Sequence, residues 1–244
     1  MKQLLLVCTL LLMGSTTLLA QTDTTRADST APPIRRKPKE PVDWRPSGLR
    51  VGVELAGPSQ MIFQPTVRQF EAAADLQVHK YLAVVEVGQA SFLYQPTEGN
   101  FIYSSAGSYF RLGADINLIK PDPKFNGIFV GVRHGRNSYV DRLFVFLPDE
   151  RDGYGEQVLN LENPAMRDRW WEVVASTKIQ VWNGLFLGYS ARYRFGYKNL
   201  ADLQGQRPYA APGIGRINGL NWRMSYYLQW RLPLSKTKKP KEEG

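Results

Sequence analysis

The residues that could do chemistry are few, and they define what the chain can be asked to do. There are two histidines, His79 and His134. His134, Ser138 and Asp141 are the only base, nucleophile and acid that fall close together, and they would have to serve as an acyl-transfer triad at the rim of whatever fold carries them. Three polar residues in so short a span are more often plain polar surface. The single cysteine, Cys8, lies in an apolar N-terminal segment, so thiol and disulfide chemistry are not expected of the mature chain. No metal-ligand spacing, phosphate-binding glycine loop or dinucleotide fingerprint is present. Asp149, Glu150, Asp152, Glu156 and Glu162 sit in a connecting segment, where such acids are usually solvated rather than cation ligands. The expectation is a protein that is not an enzyme, with no catalytic residue, no cofactor and no metal.

A second set of charged residues is larger and better ordered. Arg50, Glu54, Glu71, Asp75, Glu86, Arg111, Asp115, Arg133, Glu172, Lys178, Arg192, Arg194, Arg223 and Arg231 each fall at alternate positions within an apolar stretch. The stretch 221–234 shows the pattern most clearly. Trp222, Met224, Tyr226, Leu228, Trp230 and Leu232 alternate with Asn221, Arg223, Ser225, Tyr227, Gln229 and Arg231. A strand sends successive side chains to opposite faces, so this is a strand with one aromatic face and one cationic face. It exceeds the usual five or six residues and is long enough to cross a bilayer on a tilt.

Seven other stretches behave alike: 47–56, 69–79, 82–94, 108–118, 127–135, 168–181 and 185–197. The third is the least regular, because Gln89 and Ser91 fall on its apolar face; a register-shifting bulge would explain them. Eight strands are the smallest even count of bacterial outer-membrane barrels. The connections after the second, fourth and sixth strands are tight, with an Asn183-Gly184 hairpin signal after the sixth. Those after the first, third, fifth and seventh are longer, and two, about 137–167 and 198–219, are expected to be long loops. That alternation matches periplasmic turns and outer loops.

The expected fold is therefore all-β: an eight-stranded antiparallel up-and-down transmembrane β-barrel. The fourteen charges would fill its lumen, because Arg or Lys facing the bilayer midplane costs about 2–4 kcal/mol each. An eight-stranded interior is just wide enough for side chains, so the lumen is expected to be a plugged network of salt bridges. Gly52, Gly88, Gly113, Gly131, Gly188 and Gly196 share the polar face, where bulky charges need small neighbours. Tyr189, Tyr193, Tyr197, Trp222, Tyr226 and Trp230 read as parts of the interfacial aromatic girdles.

Outside the strands, residues 1–20 have the basic start, apolar core and Ala20 end of a cleaved signal peptide. Residues 21–46 are rich in Pro, Thr and charge and read as a disordered periplasmic linker; 235–244 form a basic tail. Both termini would be periplasmic. The net charge of +9 comes from residues spread through the chain rather than gathered on one helix, which argues against nucleic acid.

The stretches Trp44-Arg-Pro-Ser-Gly-Leu-Arg-Val-Gly-Val-Glu-Leu55, Ser108-Tyr-Phe-Arg-Leu-Gly-Ala-Asp115 and Arg207-Pro-Tyr-Ala-Ala-Pro-Gly213 resemble an uncharacterised (DUF) family of Gram-negative outer-membrane barrels, OmpA/OmpX-like in outline. The resemblance implies a barrel in the outer membrane and brings no catalytic residues. The expected partners are outer-membrane lipid and lipopolysaccharide, with an envelope or secretion partner reached through the loops or linker; the barrel would be a monomer. The expected roles are envelope structure, adhesion or secretion support. Two other readings stand beside it: a soluble periplasmic barrel with a lipophilic ligand inside, and a rim enzyme acting on lipid or peptide.

Overall fold

The computed structural model describes residues 44–97, 99–119, 122–147, 157–199 and 208–234. The signal segment, nearly all of the linker, the tail and the acids Asp149, Glu150, Asp152 and Glu156 lie outside these residues. Alternation at period two translates directly into strands: β1 (Pro46–Glu54), β2 (Val67–Val78), β3 (Tyr81–Tyr94), β4 (Phe101–Asn117), β5 (Gly127–Leu147), β6 (Gln157–Trp182), β7 (Leu185–Asn199) and β10 (Trp222–Pro233). Each pairs antiparallel with its neighbour, and β10 pairs with β1, so the eight long strands form one closed, up-and-down sheet. Closure satisfies every strand edge that an open sheet would leave exposed.

Four expectations need correction. β3 has no bulge: its pairing with β2 and β4 runs without a shift, and Gln89 and Ser91 face outward, beyond the outer apolar surface. The described parts of 137–167, up to Leu147 and from Gln157, are strand and not loop. β5 and β6 stay paired from Gly127↔Lys178 to Leu147↔Gln157, with one shift between Tyr139 and Asp141. Simple alternation fails there: the register shifts between Tyr139 and Asp141, and the neighbours Phe146 and Leu147, like Val158 and Leu159, are both exposed. The connection after β1 holds the helix α1 (Ala56–Phe63), with Pro58 in its first turn, where a missing N–H costs nothing. The described part of the connection after β7, from residue 208, holds a small hairpin, β8 (Ala210–Ala211) against β9 (Gly215–Arg216).

The inward side chains form three layers. At the end holding the tight turns, Leu82, Val84, Phe129 and Phe186 make an apolar floor. Charged side chains fill the middle. At the other end Tyr109, Tyr139, Met166 and Trp170 close around Ala211 and Ile214 of the β8–β9 segment. The outer surface is apolar through the same span, with Val51, Val85, Leu112, Val130, Val173 and Leu187 exposed.

Inward glycines make this density feasible. A methyl group on Gly131 would overlap the Asp115 carboxylate and the Ala114 carbonyl, whereas on Gly188 its nearest neighbour would be Tyr227 Cβ at 3.4 Å. Gly131→Ala should therefore lower unfolding stability by about 1–3 kcal/mol through overpacking. Gly188→Ala should stay within about 1 kcal/mol of the parent, since it relieves the conformational cost of a strand glycine. Urea titrations followed by tryptophan fluorescence give both values; equal losses would contradict the packing.

Candidate functional site

All fourteen charges assigned to the interior point into it, and ten of them form ion pairs. Arg111, on β4, pairs with Glu71 at 2.8 Å, Glu86 at 3.1 Å and Glu172 at 3.3 Å. Arg192, on β7, reaches Glu86 at 2.8 Å, Glu172 at 3.6 Å and Glu71 at 3.8 Å. Arg133, on β5, pairs with Asp115 and reaches Glu86 at 3.5 Å. Nearer the floor, Asp75 accepts from Arg50 at 2.6 Å and also pairs with Lys178. Five carboxylates thus face five cations across seven strands. The remaining two guanidinium nitrogens of Arg50 find no hydrogen-bond acceptor and lie instead over the Phe129 and Phe186 rings, at 5.7 and 5.5 Å.

The other four have different partners. Glu54 accepts from the backbone N–H groups of Ala56 and Gly57 at 3.0 and 2.7 Å, and so fixes the start of α1. Arg223 donates to Gln69 at 2.5 Å, and Arg231 to the Ser47 carbonyl at 2.8 Å. Arg194 donates to the Ile214 carbonyl at 2.5 Å.

That last bond belongs to a feature the alternation gave no sign of. The 208–217 segment lies inside the mouth of the closed sheet, with Ala210, Ala211 and Ile214 buried. Its carbonyls are held by side chains projecting from the wall: Tyr103 to Ala210 at 3.0 Å, Asn137 to Pro212 at 2.9 Å, Arg111 to Gly213 at 2.8 Å and Arg194 to Ile214. Buried carbonyls need such partners. Gly213 is required twice over: its φ is +76°, and a Cβ there would lie 2.6 Å from the Tyr109 ring.

Neutral residues and one further acid, Asp168, complete the network, and their part in it was missed. Tyr109 and Tyr227 donate to the two oxygens of Glu71 at 2.6 and 2.5 Å, and Trp170 Nε1 donates to Glu172 at 2.7 Å. Asp168 accepts from Asn137 at 3.2 Å and Tyr197 at 3.0 Å. Tyr109, Asn137, Asp168, Trp170 and Tyr227 share parity with the charges, which is their one visible signal; Tyr197 does not.

Tyr189, Tyr193, Trp222, Tyr226 and Trp230 face outward, Tyr189 beside Tyr226 at 5.2 Å and Tyr193 beside Trp222 at 5.1 Å. Tyr197 does not join them. Gly196, at φ +61°, turns Tyr197 inward to Asp168, so its assignment to a girdle is corrected. His134, Ser138 and Asp141 do not converge either. Asp141 is buried inside, while His134 and Ser138 sit on the outer wall four residues apart; the His134 ring lies 4.6 Å from Trp171. Glu162 pairs with Arg142 at 3.1 Å on the surface. Among the described residues no three His, Cys, Asp or Glu side chains gather as a metal site.

A family model described as a domain of unknown function (DUF6048) matches residues 1–237. No curated protein matches the chain.

Two outcomes follow from this geometry. Arg111→Met removes the cation shared by Glu71, Glu86 and Glu172 and should cost about 3–5 kcal/mol in denaturant unfolding. Arg142→Ala, at the exposed pair, should leave the midpoint unchanged. Gly213→Val should expel the 208–217 segment, which limited trypsin digestion would read as faster cleavage after Arg216 in an otherwise intact sheet. An unchanged rate at Arg216 would mean the segment is not held as described.

Proposed function

The chain belongs to the DUF6048 family, and we propose that it is a non-enzymatic outer-membrane barrel with a plugged, charged lumen, serving envelope structure, adhesion or secretion support. The observation that carries this reading is the outer wall. From Val51↔Trp230 on β1 and β10, through Val85↔Leu112 on β3 and β4, to Val173↔Tyr193 on β6 and β7, outward neighbours in register are apolar or aromatic all the way round. A monomer in water rarely exposes a contiguous apolar surface beyond a few hundred Å². Lipid removes that penalty, and a closed sheet is the one β-structure whose backbone is satisfied there.

The inside supports the rest. Buried ion pairs, an apolar floor and the 208–217 plug fill the lumen, which favours a structural part over a conducting one. A lipophilic ligand inside would need the apolar faces turned inward, and they point outward. A rim enzyme built on His134, Ser138 and Asp141 would need side chains that meet. Beyond the apolar wall, the continued pairing of β5 and β6 offers a stiff hairpin to an envelope or secretion partner. The signal segment, by its sequence, would supply export.

Cell fractionation with gels of heated and unheated samples tests this reading. Recovery in the outer membrane with heat-modifiable migration is the expected result. Val130→Arg, in the middle of the wall, should cost about 2–4 kcal/mol of insertion and lower membrane recovery, while Val130→Leu should not. Recovery of the parent protein in the soluble periplasm, with migration indifferent to heating, would overturn it.

A further inference from the structure

The outer wall ends abruptly on one side. On β5, β6 and β7 the level next to His134, Trp171 and Phe195 is cationic, and exposed apolar side chains such as Phe146 and Val158 return only farther along β5 and β6. Arg136 lies directly opposite Arg169, and Arg169 directly opposite Lys198. Arg167, two residues beyond Arg169 on the same face, stands opposite Ser138. All four cations are exposed. Among the described residues none has a carboxylate within ion-pair distance. Asp168, between Arg167 and Arg169 in sequence, is turned inside to Asn137 and Tyr197.

Like charges directly opposite on neighbouring strands destabilise a sheet. Three in one row, with no acid beside them among the described residues, repel one another, and an anion lying across them would remove that cost. Arg136 is also held in place: its Nε donates to His134 Nε2 at 3.3 Å, and the His134 ring rests on Trp171. Beside the row runs a groove on the outer wall. Arg136, Arg167 and Ser138 line its polar edge, and Phe70, Val87 and Phe110 its apolar edge. The opposite side of the same rim is unlike this one. There Ile62, Phe63 and Leu220 are exposed, at 78%, 83% and 86%.

We propose that Arg136, Arg167 and Arg169, with Lys198, form a binding site for the phosphate groups of a phosphorylated glycolipid of the outer leaflet, whose acyl chains lie along the Phe70–Val87–Phe110 groove. The site rests on the outer-membrane reading above and adds a ligand and an address to it. Guanidinium groups suit it because their planar donors grip phosphate oxygens two at a time. The height suits it because the row stands where an apolar wall gives way to headgroups.

The test uses the full mature chain in phosphatidylcholine vesicles doped with bis-phosphorylated lipid A, with dephosphorylated lipid A, or with phosphatidylglycerol. Native mass spectrometry after gentle detergent extraction counts the lipid retained. The parent protein should keep bis-phosphorylated lipid A in preference to both others. The Arg136→Gln/Arg167→Gln/Arg169→Gln variant should retain it about tenfold less or worse, since each charge-assisted hydrogen bond lost is worth roughly a factor of ten. Arg142→Gln, outside the row, should behave as the parent. Equal retention by parent and triple variant would overturn the site, as would equal retention of phosphatidylglycerol, which would make the row a general attractor of negative charge. Heat-modifiable migration of the same samples separates the two ideas. A folded, inserted triple variant that holds lipid A normally removes the site and leaves the membrane reading; a parent that never enters vesicles removes both.

Discussion

Arg111 is the joint on which the interior depends. Its side chain has no exposure, and it reaches carboxylates from β2, β3 and β6, a carbonyl of the mouth segment, and the face of Tyr109 at 4.8 Å. A guanidinium so far from water is tolerable only when nearly every donor is met. Meeting them requires four strands and the 208–217 segment to be in place together. The ionic layer is therefore a weak source of net stability and a strong source of specificity: it accepts one register of the sheet. A slip of one residue would send Arg111 outward and Leu112 inward, inverting every contact in that layer.

The floor and the mouth solve a different problem. An interior built of charge alone would admit water from both ends and pay for its ions in competition with solvent. Phe129, Phe186, Leu82 and Val84 close one end; Trp170, Met166, Tyr139 and Ile214 close the other. The ion pairs between them gain from the lower local dielectric that these two layers create.

Much of this was legible in the sequence, and for one reason: period-two alternation over long stretches. It placed eight strands, sent every one of the fourteen lumen charges inward, and put five of six proposed girdle aromatics outward. What alternation could not show follows from the same rule. Phe129, Phe186, Tyr109, Tyr227 and Trp170 occupy inward positions, but an apolar residue at a polar-parity position reads only as noise. Gly196 reverses parity at a single residue, so Tyr197 was carried to the wrong face. Arg142 and Glu162 lie beyond the register shift between Tyr139 and Asp141, where exposed neighbours such as Phe146 and Leu147 break the alternation, and a strand without alternation looks like a loop. The mouth segment has no period at all; Pro208, Pro212, Gly213 and Gly215 mark a turn, and nothing in a turn says which way it folds.

The mouth segment also fixes an order of events. Its carbonyls are gripped by Tyr103 and Arg111 from β4, Asn137 from β5 and Arg194 from β7, and the first of these contacts joins residues 107 positions apart in the chain. The four grips come together only once β4, β5, β6 and β7 are paired. The full set of grips on 208–217 thus needs residues from Phe101 to Asn199 already in register, so the segment follows the sheet and cannot template it.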